Sequence, residues 1–173
     1  MRQNLVAGNW KMNLTYPEAL ALVSEITTLA NAATAGAASP EIVICPPFPL
    51  LHGVGQALPK GGKFHLGAQN CHQKESGAFT GEVSAKLLAS VGCEYVILGH
   101  SERRQYFRED DELLSQKLKA ALAAGLKPIF CVGESLDTPR TSGRCACVMD
   151  DPRFDVNHSG CTMHVGVSWG DPT

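Results

Sequence analysis

The sequence predicts an α/β protein built on a parallel β-sheet. Short apolar runs alternate with helical patterns from residue 1 to about 134. The runs begin near residues 4, 41, 63, 94 and 128, so their spacing averages about 31 residues, one strand–helix–strand unit each. Three of the five are apolar at nearly every position, as strands are when helices cover both faces of their sheet.

Each element has its own local signal. NLVAGNW (4–10) is the first strand candidate. Thr15, with Glu18 three residues later, forms a capping-box pattern, and Ala19, Leu22, Val23, Ile26 and Ala30 follow at helical spacing. EIVIC (41–45), KFHLGAQ (63–69) and EYVIL (94–98) are the next three strands. The segment DDELLSQKLKAALAAG (110–125) opens on acid, continues with lysines and reaches Gly125, a helix stop. Its expected apolar stripe is Leu114, Leu118 and Leu122. KPIFCVG (127–133) closes the series.

After Arg144 the pattern breaks. Residues 145–173 contain no Leu, Ile, Lys or Glu, yet hold three of the seven cysteines. Asp-Pro, Ser-Gly and Gly-Asp-Pro steps interrupt any period. The chain divides accordingly into an ordered part, 1–144, and an irregular tail, 145–173. Such a break fits a frameshift, a retained intron or an alternative exon.

Bulk properties exclude several functions. A chain of 173 residues with 44% hydrophobic and 18% charged residues describes one globular domain. The net charge of -2 argues against a nucleic-acid partner, which needs a concentrated basic surface. No apolar run approaches the ~18 residues of a membrane span, and MRQNLVAGNWK lacks the apolar core of a signal peptide. An odd number of cysteines in such a chain implies mostly reduced thiols and a cytoplasmic location. Cys45, Cys71, Cys93 and Cys131 fall in or beside the apolar runs.

Candidate chemistry gathers at strand ends. Asn9 and Lys11 stand two residues apart at the end of the first strand, hence on one face. Ligand sites of barrels and open α/β sheets lie at that end. The pair could aim an amide and an ammonium at an anion, although spacing alone fits a solvated strand end better. Trp10 between them belongs to the core. His100 follows the fourth strand, and Ser101 can cap a helix beginning near Glu102. A ring beside a helix N-terminus is expected to be neutral, and so able to donate a hydrogen bond to a developing oxyanion. A structural histidine is the simpler alternative. Glu102 is either a capping carboxylate or the ion-pair partner of Lys11.

AGNWKMN, GAQNCHQKESGAFTGEVSAKLL, VILGHSERRQYFRE and GLKPIFCVGESLD occur in that order. Together they closely resemble the triosephosphate isomerase family over residues 2 to about 144. The resemblance implies a TIM (β/α)8-barrel, here an incomplete barrel of about five βα units plus the irregular tail. It implies interconversion of dihydroxyacetone phosphate and glyceraldehyde 3-phosphate, in glycolysis and gluconeogenesis, with no cofactor and no metal. Asn9 and Lys11 would bind the triose phosphate, and His100 would polarise its carbonyl. The neutral histidine is part of that family's own mechanism, so this agreement belongs to the resemblance. Ser101 and Glu102 would support these groups, and Cys131 would pack beneath them. Gln69 to Glu82 would be the loop that enters a second subunit of a homodimer, where Thr80 would reach the partner's Asn9 and Lys11.

The family's catalytic glutamate, in a Tyr-Glu-Pro-Val-Trp-type string, has no counterpart here, and neither do its lid and phosphate loops. Five strands end near 133, and 40 residues remain, whereas three more units need about 93. Glu134 is the nearest spare carboxylate in type. Little or no activity is expected of this chain alone. The alternative is a non-catalytic product that pairs with full-length isomerase through 69–82. A tail metal module from Cys145, Cys147, His158, Cys161 and His164 would need a non-standard spacing.

Overall fold

The computed structural model describes residues 5–33, 40–132 and 146–149. The elements run β1 (Leu5–Asn9), α1 (Tyr16–Ala33), β2 (Glu41–Cys45), a 3₁₀ turn (Phe48–Leu50), α2 (Leu51–Ala57) and β3 (Phe64–Ala68). They continue with α3 (Ala85–Ser90), β4 (Tyr95–Leu98), α4 (Ser101–Phe107), α5 (Asp111–Ala123), β5 (Lys127–Val132) and β6 (Ala146–Met149). The sheet order is β1-β2-β3-β4-β5-β6. The first five strands are parallel neighbours, so every expected strand forms in sequence order.

Strand alternation divides the apolar residues between two cores. On the helix side, Ile44, Leu66, Val96 and Leu98 pack with Ala19 and Val23 of α1 and Ala121 of α5. The other face holds Ala7, Val43, Cys45, Tyr95, Ile97, Ile129 and Cys131. Gly67 of β3 explains how that second face closes on itself. A Cβ there would lie 2.5 Å from the Cys45 sulfur and 2.8 Å from Val43 Cγ1. With no side chain at Gly67, residues of β2 and β4 meet across β3, and the sheet curls into a half-barrel. Polar residues line its N-terminal rim, where the Tyr95 hydroxyl donates to Glu41 at 2.8 Å and His65 Nδ1 meets Glu94 at 2.9 Å.

The helix ends follow local chemistry. The Thr15 amide and hydroxyl both donate to Glu18 Oε2, at 2.7 and 2.6 Å, and fix the start of α1. Asp110 caps α5 by accepting from the Leu113 amide at 2.8 Å, and Gly125 turns the chain at φ +77°.

Two expectations need correction. Leu122 is 41% exposed, and the buried stripe of α5 is Leu114, Lys117 and Ala121. Eight residues beyond Leu114, position 122 has rotated about 80° away from that stripe. The second concerns the tail, where Ala146–Met149 is not irregular but pairs antiparallel with β5, from Ile129↔Met149 to Val132↔Ala146. That pairing covers the β5 edge, whose amides and carbonyls need partners. Among the described strands, β1 pairs with β2 alone.

Candidate active site at the carboxyl ends of the strands

β1 ends at Asn9, and the chain turns sharply to present Lys11, which has φ +54°. A non-glycine residue in that region costs about 1–3 kcal/mol and persists only when its surroundings hold it. Two side chains do so. Asn9 Oδ1 accepts from the Lys11 amide at 3.0 Å, and Gln69 Nε2 donates to the Lys11 carbonyl at 2.9 Å. Gln69 also donates to the Cys45 carbonyl at 2.9 Å, which ties the ends of β1, β2 and β3 together. Lys11 thus lies where the sequence places it, but through a clamped turn rather than by strand alternation.

His100 follows β4 and Gly99, whose φ is +72°. The ring itself caps α4, with Nδ1 accepting from the Glu102 amide at 3.3 Å. Ser101, the expected cap, is the first helical residue, because the imidazole reaches the free amide first. A nitrogen that accepts from an N–H carries a lone pair, so the ring proton of neutral His100 sits on Nε2. Burial holds the ring's titration below the usual histidine range, and Lys11 pushes the same way while Glu102 opposes. The shift has the direction expected of a neutral ring, with burial rather than the helix end as its leading cause.

Glu102 joins the two groups. Its Oε1 lies 2.6 Å from Lys11 Nζ, and its Oε2 is 3.5 Å from His100 Nδ1. Of its two possible roles, orienting Lys11 is the one the side chain performs. One carboxylate therefore brings the ammonium and the imidazole to the same rim.

Below this rim Cys131 is buried, and its carbonyl lies 3.1 Å from where a Gly99 Cβ would stand. Burial pushes the Cys71 thiol up to about 11 and Cys93 up to about 12, and Cys45 is also raised. None is a ready nucleophile at neutral pH. Beyond Gln69 the chain forms a closed lobe. Its neck is the His72 amide donating to the Val83 carbonyl at 2.8 Å, and the His72 and Phe79 rings stack 4.4 Å apart. Thr80 is exposed near its tip, and the Glu82 amide donates to the Phe79 carbonyl at 3.0 Å.

Sequence reasoning missed a second ionic cluster. Lys117 Nζ lies 2.5 Å from Glu109 Oε1 and 3.0 Å from Asn70 Oδ1, and Arg103 Nε donates to Glu109 at 2.8 Å. A lysine occupying a buried stripe position of α5 was its available signal. Among the described residues, no group of three or more His, Cys, Asp or Glu is placed to hold a metal, and no helix is long and apolar enough to cross a membrane. Glu134, Cys145, His158, Cys161 and His164, and the side chain of Cys147, lie outside the described residues.

Parallel strands in sequence order, curled into a half-barrel with helices outside and polar groups at their carboxyl ends, place the chain in the (β/α)8-barrel class as an incomplete barrel. A family model described as triosephosphate isomerase matches residues 4–153. The match thus continues past the expected limit near 144 and through β6. A triosephosphate isomerase of Alkaliphilus oremlandii is 51% identical over 137 residues, covering 79% of this chain and 53% of that one. One of Bacteroides fragilis is 53% identical over 138 residues, with the same two shares. One of Amoebophilus asiaticus is 45% identical over 148 residues, covering 86% and 58%. The chain belongs to the triosephosphate isomerase family. It spans about half the length of the relatives it matches.

Proposed function

We propose that this chain carries the carbonyl-polarising half of a triosephosphate isomerase site. The observation that supports this best is Glu102, which bonds Lys11 and approaches His100 with its two oxygens. The reaction interconverts dihydroxyacetone phosphate and glyceraldehyde 3-phosphate through an enediolate. His100 donates its Nε2 proton as a hydrogen bond to the substrate carbonyl, and negative charge grows on that oxygen as the adjacent carbon loses its proton. A neutral ring is the right donor, since it stabilises the oxyanion without simply protonating it. Lys11 supplies positive charge to the phosphate and the enediolate, and Asn9 lies beside it. Ser101 and Glu102 support these groups, and Cys131 packs beneath.

The base that takes the carbon-bound proton is the group this reading lacks. No Tyr-Glu-Pro-Val-Trp-type string occurs in the 173 residues. Losing a general base lowers a rate by roughly 10²–10⁴-fold, and losing lid and phosphate loops removes orientation and water exclusion as well. We therefore expect little or no turnover from this chain alone, in a cytoplasmic setting. A coupled isomerase assay on purified chain, run beside circular dichroism, tests this. A folded chain with near-normal turnover overturns it.

A second reading keeps the fold and drops the chemistry: the chain pairs with a full-length isomerase through residues 69–82. The closed His72–Val83 neck favours it, because a preformed lobe with Thr80 exposed loses little entropy on docking. Co-elution with intact isomerase is the expected result. Separate elution at micromolar concentrations removes this reading.

A further inference from the structure

We infer that Arg104 is a positioning residue that sets the orientation of the His100 ring through the Gly99 carbonyl. This rests on the proposed role of His100 as a neutral hydrogen-bond donor. Of the string Leu98–Arg104, the two arginines have no part in that chemistry. Arg103 turns away to Glu109. Arg104 turns back on its own strand end. Its Nε donates to the Gly99 carbonyl at 3.0 Å, and its Nη1 meets Asp111 Oδ1 at 2.7 Å. Its guanidinium lies 6.0 Å from the centre of the Phe130 ring. One side chain thereby ties the peptide before His100 to α5 and β5.

That tether matters because α4 is held by side-chain bonds rather than by a buried face, and of its bonds through Glu102, Arg103 and Arg104 only that of Arg104 reaches the peptide before His100. The helix has seven residues, and none of them is buried. A helix so short does not sustain its own first turn in water. The cap bond from the Glu102 amide to His100 Nδ1 is long at 3.3 Å. The orientation of the ring therefore depends on how firmly the Gly99–His100 peptide is held from outside. The space at Gly99 is narrow as well. A Cβ there would meet the Cys131 carbonyl at 3.1 Å, Arg104 Nη2 at 3.3 Å and Leu114 Cδ1 at 3.4 Å. Arg104 thus forms one wall of the turn and donates to it. A planar fork can reach Gly99 and Asp111 together, whereas a lysine ammonium cannot keep both directions.

The test is long-range ¹H–¹⁵N correlation of the ring nitrogens in the full 173-residue chain, with His100 assigned by its loss in His100→Gln. The variants are Arg104→Lys, Arg104→Ala and Asp111→Asn. In the unaltered chain the ring is expected as the Nε2–H form at pH 7. In both Arg104 variants the ratio of Nε2–H to Nδ1–H tautomers falls by roughly 5-fold, the worth of one hydrogen bond. Asp111→Asn gives a smaller fall in the same direction. Asp111 is 89% exposed, so its variant keeps the fold and remains decisive should Arg104→Ala not fold. A ring unmoved in folded Arg104→Lys and Asp111→Asn overturns the positioning role alone. A ring protonated at pH 7 in the unaltered chain overturns the proposed function instead.

Discussion

Two lysine–glutamate pairs of nearly equal length sit in opposite environments in this molecule. Lys11 and Glu102 lie 2.6 Å apart with side chains 46% and 42% exposed. Lys117 and Glu109 lie 2.5 Å apart at 4% and 2%. In water such an attraction is weak and screened by salt, so the first pair can part and offer its ammonium to an arriving anion. The second pair has no such freedom, since separating buried charges leaves each without solvent. Its extra bonds to Asn70 and Arg103 fit that demand. Both pairs draw on α4 or its immediate end. Glu102 faces the site, while Arg103 reaches inward to Glu109. Environment, not residue type, fits one pair for the proposed anion-binding role and the other for holding the fold.

The largest expected effect breaks the buried pair. Glu109→Ala leaves the Lys117 ammonium and the Arg103 guanidinium without their shared carboxylate, at a cost of about 3–5 kcal/mol. For a domain of this size the thermal midpoint falls by about 2–4 °C per kcal/mol, which circular dichroism reads directly. Replacing Glu109 and Lys117 together by Leu and Met recovers part of the loss, because the buried ammonium goes with its carboxylate and only the partly exposed Arg103 loses its partner. A loss under ~1 kcal/mol for Glu109→Ala would put the buried pair on the same footing as an exposed one.

This contrast also marks what the sequence discloses. β2 runs Glu41–Cys45, the same residues as its apolar run, because a strand covered on both faces announces itself at every position. Asn9, Lys11 and His100 were legible as strand-end residues, and a barrel gathers strand ends at one rim. The means of holding them were not legible. Gln69 reads as the start of a loop, yet it grips the Lys11 carbonyl across 58 residues of chain. His100 displaces Ser101 as the cap because a ring nitrogen happens to reach the Glu102 amide. Lys117 breaks the apolar stripe that misplaced Leu122, and only its long-range partner, Asn70, and Glu109 make that burial tolerable. Side-chain bonds between distant segments leave no period to read. β6 is hidden for a similar reason, since its pairing is set by the edge it meets rather than by its own alternation.

A smaller effect concerns His100, which belongs to the exposed side of the comparison but is itself half-buried. Its ring titrates below the usual histidine range in the folded chain, so the unfolded chain binds its proton first as pH falls. Stability is therefore full above the unfolded value near 6.5 and is lost as pH drops from there through the folded value. Urea midpoints of the unaltered chain and His100→Gln, compared at pH 7.5 and 5.5, isolate this contribution. The unaltered chain should lose more stability between the two than the variant. An equal loss in both would mean that burial does not hold the ring neutral.

The smallest effect on stability comes from cutting the exposed pair, and it is the sharper test of its function. Glu102→Gln removes a carboxylate whose exposed partner is already solvated, so the cost is expected at 0.2–1 kcal/mol, about the range of surface ion pairs. A double-mutant cycle with Lys11→Met should give a coupling of that size, falling as salt shortens the reach of the charges. The same substitution acts on His100 with a defined sign. Glu102 favours the charged ring, so its removal should move the ring titration further down, in the direction of the burial and Lys11 effects it now opposes. A coupling of ~3 kcal/mol or more, insensitive to salt, would make Lys11 a structural cation like Lys117. An ammonium held that firmly could not serve the proposed triose phosphate site.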